Sequence, residues 1–124
     1  MAYKLNFLEE DGVLVVEISG ERPKDNLTRS AKEAWCEVAR VARHKNLKRI
    51  LVISSATGDY PTMDAYKINS TLDECGVQRG WKIAFVNLDP NSFQDIKFAE
   101  TVAVNRGFDV GVFNNQDKAR KWLS

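Results

Sequence analysis

The chain has little of what catalytic and metal centres are usually built from. Its 124 residues include one histidine, His44, and two cysteines, Cys36 and Cys75. A single imidazole with no Cys-x-x-Cys pair speaks strongly against a zinc site. It also speaks against any dyad or triad that needs a histidine base. Net charge is scarce too, only +1, which leaves no general drive toward nucleic acid or an anionic membrane. No apolar run reaches the length of a membrane span, and Met1-Ala-Tyr-Lys-Leu-Asn6 lacks the charged-then-apolar layout of a secretion signal. The two cysteines, without a pairing pattern, read as free thiols in a reducing compartment. A cytoplasmic location is therefore expected. There is no internal repeat, low-complexity segment or linker, so residues 1–124 read as one domain, long enough to bury a core without staples.

The content that is present is ordinary for a folded soluble chain, 44% apolar and 28% charged. The charge is unevenly spread: residues 21–50 carry nine Lys/Arg against four Asp/Glu. Arg40, Arg43, Lys45, Lys48 and Arg49 make up much of that excess. Cations at a helix C-terminus suit its dipole; a patch for an acidic partner is the other reading.

Periodicity gives the elements. Tyr3–Leu8 and the β-branched run Val13–Ile18 read as strands, joined as an antiparallel hairpin across Asp11-Gly12. Asp25 or Asn26 can cap a helix running to about Lys45. Its Leu27, Ala31, Ala34, Trp35, Val38, Val41 and Ala42 fall at spacings of three and four on one stripe. Lys48–Ser54 and Trp81–Leu88 are nearly all apolar, as strands covered on both faces are. Between them, Pro61 suits the first turn of a helix that should reach about Glu74 before Gly76. Ser92-Phe-Gln-Asp95 has capping-box spacing and opens a helix stopped by Gly107. Phe108–Phe113 is a fifth strand. Asn114 begins a last helix docked by Ala119, Trp122 and Leu123.

The resulting order is β-β-α-β-α-β-α-β-α, which implies an α/β fold. The sheet has five strands, mostly parallel with only the first strand antiparallel, and there are four helices. Sequential strand order with crossovers of one hand puts the helices on one face. The strands are apolar on both sides, so a terminal helix is expected to cover the second face; a homodimer is the other way to cover it.

That order, with the closing segment Val112-Phe-Asn-Asn-Gln-Asp-Lys-Ala-Arg-Lys-Trp-Leu123, resembles the SpoIIAA-like (STAS-related) domain family. Topologically the resemblance covers nearly the whole chain; in sequence its specific part is the last ~30 residues. In the anti-sigma-factor antagonists of this superfamily, a serine in an Asp-Ser setting at the start of the helix after the third strand takes a phosphate. This switches binding to a partner kinase. Here Asp64 matches the Asp, but Ala65 stands at the acceptor position, with the Thr62 hydroxyl nearby. The resemblance implies a regulatory, protein-binding domain without its usual phosphoacceptor.

Ligands of open α/β sheets sit beyond the carboxyl ends of the strands. Ser54–Tyr60, Asn87–Ser92 and Asn114-Asn115 converge there. The loop Ser55–Gly58 lacks the lysine and spacing of a phosphate loop. Asp59 and Asp89 have no lysine or histidine beside them for acid–base work, and strand-end aspartates commonly form turns. Tyr60, Met63 and Tyr66 are the candidate apolar anchors for a protein partner, with Asp59 and Asp64 as charge complements and Ser55, Thr57 and Thr62 as polar contacts. No catalytic residue, cofactor or metal is expected. The alternative, a small apolar ligand or lipid carrier of SEC14-like type, would need an apolar cavity of roughly several hundred Å³. An enzyme or metal site would need Asp59, Asp89 and Asn114 within hydrogen-bonding range of one another.

Overall fold

The hairpin forms where the sequence places it. In the computed structural model, which describes residues 3–124, β1 (Tyr3–Glu10) and β2 (Val13–Gly20) pair antiparallel, with Glu10 opposite Val13 and Tyr3 opposite Gly20. Asp11 and Gly12 both have positive φ, 51° and 76°, as a two-residue turn matching the strand twist requires. β3 (Arg49–Ser54), β4 (Lys82–Asn87) and β5 (Asp109–Phe113) then add in parallel, giving the sequential order β1-β2-β3-β4-β5.

Alternating strand residues separate two cores. Leu14 and Val16, Ile50 and Val52, and Ile83 face the helices α1 (Leu27–Lys45), α2 (Thr62–Ser70), α3 (Leu72–Cys75) and α4 (Phe93–Asn105). Val15, Leu51, Ala84 and Val86 face α5 (Gln116–Leu123), whose Ala119 and Leu123 are buried against them. Burying such aliphatic side chains contributes about 1.5–3 kcal/mol each before chain entropy is counted. The last helix thus covers the second face, as its apolar strands demand, but it packs over β3, β4 and β5. Leu8 and Leu88 beside the uncovered half are 45% and 51% exposed.

Among the described residues there are five helices where four were expected, because the crossover between β3 and β4 breaks at Thr71. The Ser70 and Thr71 hydroxyls donate back to the carbonyls of Lys67 and Ile68, each at 2.7 Å. Such bonds compete with helical backbone pairing. Gly76, at φ 86°, ends α3. The α5 cap is Asn115, whose side chain accepts from the Lys118 N–H at 3.1 Å, one residue later than expected.

The cysteines correct the sequence reading. Cys36 on α1 and Cys75 at the end of α3 form a disulfide, with Cα atoms 4.4 Å apart and a separation of 39 residues. They were expected to be free because that separation carries no pairing signal; α1 and α3 pack side by side and bring them together. The basic end of α1 is engaged by the chain itself. Arg43 donates to the Cys75 carbonyl at 2.8 Å, Arg49 to the Asp11 carbonyl at 3.1 Å, and Arg40 pairs with Glu37.

Candidate functional site

The loop after β3 is held down by continued pairing with the end of β2. Ser55 N–H donates to Ile18 O at 2.9 Å, Thr57 N–H to Gly20 O at 3.2 Å, and Arg22 N–H to Thr57 O at 2.7 Å. With its backbone fixed, this loop sets out Ser55, Thr57 and Asp59 as exposed residues.

Below it lies a polar knot that sequence reasoning missed. Arg22, only 5% exposed, donates to Gly58 O at 2.8 Å, Ser92 Oγ at 3.0 Å and Asn87 Oδ1 at 3.3 Å. Its guanidinium also lies 5.6 Å from the centroid of the Tyr60 ring and 4.0 Å from the Asp89 carboxylate. One side chain from the β2–α1 connection therefore ties together the loops after β3 and β4. A guanidinium suits this role because its fork of donors can serve several fixed acceptors at once. Ser92 stands at the start of α4 as expected, yet its hydroxyl makes no cap bond. It accepts from Arg22 and Asn87 and donates to Asp89 Oδ2 at 2.9 Å. Burial holds the Tyr60 phenol protonated well above its ordinary range, with Tyr3 adding to the rise and Arg22 opposing it.

The remaining expected residues lie on or beside α2. Thr62 and Met63 are exposed in its first turn, Met63 at 64%. Asp64 is spent inside the molecule, accepting from the Thr28 hydroxyl of α1 at 2.6 Å. Tyr66 is 52% exposed, and its ring meets that of Phe98 on α4 edge-on, 5.6 Å between centroids. Met63 and Tyr66, three residues apart, share a helix face. Met63, Tyr66 and Phe98 thus form an apolar surface across α2 and α4. Phe98 was overlooked, although its position off the buried stripe of α4 was a signal for it.

The two strand-end acids differ in their surroundings. Asp89 accepts from Ser92 Oγ and from Asn91 N–H at 3.2 Å, which is turn chemistry. Asp59 is exposed. Among the described residues no three His, Cys, Asp or Glu side chains gather as a metal site would require, and no helix is long and apolar enough to cross a membrane. An apolar cavity of about 90 Å³ lies between the sheet and α1, α2 and α4, with Trp35, Ile68, Phe85 and Val110 in its wall together with Arg22 and Tyr60.

No protein-family model matches the chain, and no curated protein matches it in sequence. Solved structures do match. An anti-sigma factor antagonist from Mycobacterium paratuberculosis superposes with a TM-score of 0.64 at 16% identity, covering 98% of this chain and 93% of its own. A serine-to-glutamate variant of RsbS from Moorella thermoacetica gives 0.55 at 18% identity, covering 96% and 97%. The chain therefore has the SpoIIAA-like, STAS-related fold over nearly its whole length.

Proposed function

We propose that this chain is a non-catalytic regulatory domain that binds a protein partner through the loop after β3 and the adjoining faces of α2 and α4. The observation that carries this reading is the exposed trio Met63, Tyr66 and Phe98, set beside a loop whose backbone the Arg22 knot holds in place. Aromatic anchors on a prearranged surface favour binding because little side-chain entropy is lost on contact. Asp59 and Thr62 form its polar rim; Asp64 contributes by positioning α2 rather than by meeting the partner. The anti-sigma-factor-antagonist fold agrees with this role. With Ala65 at the usual acceptor position, a hydroxyl switch there would fall to the exposed Thr62.

The test compares capture of host proteins by the immobilised wild-type chain and by Tyr66→Ala and Phe98→Ala. A protein bound at fixed stoichiometry by wild type and lost from both variants supports the reading. Equal capture by all three removes the surface from consideration.

A second reading has its own observation. The apolar cavity suits a small uncharged ligand, since apolar cavities of this kind stay dry and take up apolar molecules. At about 90 Å³ it is below the several hundred Å³ a lipid would need. NMR shift changes at the cavity-lining residues on adding a small hydrocarbon, abolished by Ala34→Leu, would favour this reading over a solid core.

A further inference from the structure

A row of links joins α1 to the α2–α3 segment. Thr28 donates to Asp64 at 2.6 Å, Lys32 pairs with Glu74 at 2.8 Å, Cys36 is bonded to Cys75, and Arg43 donates to the Cys75 carbonyl at 2.8 Å. Residues 28, 32 and 36 are four apart, and 43 is seven further on, so all four side chains leave one stripe of α1. The Thr28–Asp64 bond fastens the docking helix α2 itself; the other three fasten α3, which follows it directly after Thr71. Lys32 and Glu74 are both well exposed, 41% and 64%, and ion pairs in water contribute little. The disulfide is the one covalent link.

We propose that Cys36–Cys75 is a redox site whose state sets the rigidity of α2 and thereby regulates docking. This proposal rests on the reading of α2 as a docking helix. The co-reactant is a dithiol. Its thiolate attacks the Cys36 sulfur, on the more exposed of the two residues, and a new S–S bond forms as the Cys36–Cys75 bond breaks. The Cys75 sulfur leaves with the electron pair and takes a proton. The second thiol of the reductant, giving up its proton, then attacks its own sulfur in the mixed disulfide and releases Cys36, which is protonated. The protein gains two electrons and two protons, and the dithiol becomes a disulfide. Cys75 Sγ lies 3.4 Å from the Lys32 carbonyl oxygen, a ready acceptor for a thiol hydrogen.

The test records amide NMR spectra and backbone order parameters of the oxidised chain, of the same sample after dithiothreitol, and of Cys36→Ser. On reduction, order parameters for residues 62–75 should fall from the rigid range, about 0.85, to below about 0.6, while the strands keep theirs; Cys36→Ser should match the reduced spectrum. Three results would overturn the proposal. The disulfide stays closed in dithiothreitol; shifts are confined to the cysteines and their neighbours; or dispersion is lost everywhere, marking a plain structural staple. If Cys36→Ser fails to fold, the reduced wild-type sample decides. No partner enters this experiment, so its outcome is independent of the capture test above. Loosening of α2 without any Tyr66 effect on capture would sink the docking reading alone.

Discussion

Arg22→Ala perturbs the molecule where three loops meet. The substitution removes three hydrogen bonds from a charged donor, to Gly58 O, Ser92 Oγ and Asn87 Oδ1. It also leaves the Asp89 carboxylate, whose side chain is 9% exposed, without its cation. Charge-assisted bonds contribute roughly 1.5–3 kcal/mol each when removed singly, but they share one guanidinium whose own burial is costly, so they cannot be summed. Breaking one side of a buried pair typically costs about 3–5 kcal/mol. Water entering the space vacated by the side chain would satisfy part of the loss, which places the expected cost at the lower end, about 3–4 kcal/mol. At roughly 4 °C per kcal/mol for a domain of this size, the melting temperature should fall by about 12–16 °C. Urea unfolding should show a lowered midpoint with an unchanged slope. Arg22→Lys should recover only part of the loss, because an ammonium is a point charge and cannot span the three acceptors. An Arg22→Ala protein within 1 kcal/mol of wild type would refute the argument and show that the loops are held by their backbone pairing alone.

Other consequences follow from the same geometry. Tyr66→Ala should cost only about 1 kcal/mol in urea unfolding, since half the residue is exposed and the chief loss is its edge contact with Phe98. It should nevertheless weaken partner capture at least about 30-fold if Tyr66 is a binding anchor. Reducing the disulfide should lower stability by roughly 4 kcal/mol from loop closure over its 39-residue separation, read as a shift of the urea midpoint. The Tyr60 phenol, whose proton is held more tightly in the folded state than its ordinary value of 10.0, should make stability fall as pH rises past about 10. There the unfolded chain loses the proton while the folded one keeps it. Tyr60→Phe should flatten that alkaline limb, and an unchanged limb would assign the effect elsewhere.

The readable parts of the sequence were those governed by local physics. The Asp11-Gly12 turn, the buried strands around Ile50 and Ile83, the stripe of α1 and the stop at Gly107 each follow from side-chain pattern or backbone freedom within a few residues. Even the covering of the second face was legible, because strands apolar on both sides need two layers. What was not legible depends on distance in sequence. Arg22 sits in a polar loop that looks like any other, and its acceptors lie 36 to 70 residues away. Ser92 was correctly placed at a helix start, but its hydroxyl serves Arg22 and Asp89 instead of the helix. Asp64 looked like an exposed charge until α1 brought Thr28 to it. Cys36 and Cys75 pair only because α1 and α3 pack together. At Thr71 the cause is local: two successive hydroxyl residues draw backbone carbonyls one turn back and break the helix.

The Met63–Tyr66–Phe98 surface is proposed to bind a protein. The most direct measurement is native mass spectrometry of the chain purified gently from its host, made in parallel on wild type, Tyr66→Ala and a control, Glu10→Lys, on the far edge strand. A second protein at fixed stoichiometry with wild type and the control, and absent with Tyr66→Ala, is the expected result. The same complex surviving Tyr66→Ala, or vanishing only with the control, would contradict the account and move the interface to another face of the domain.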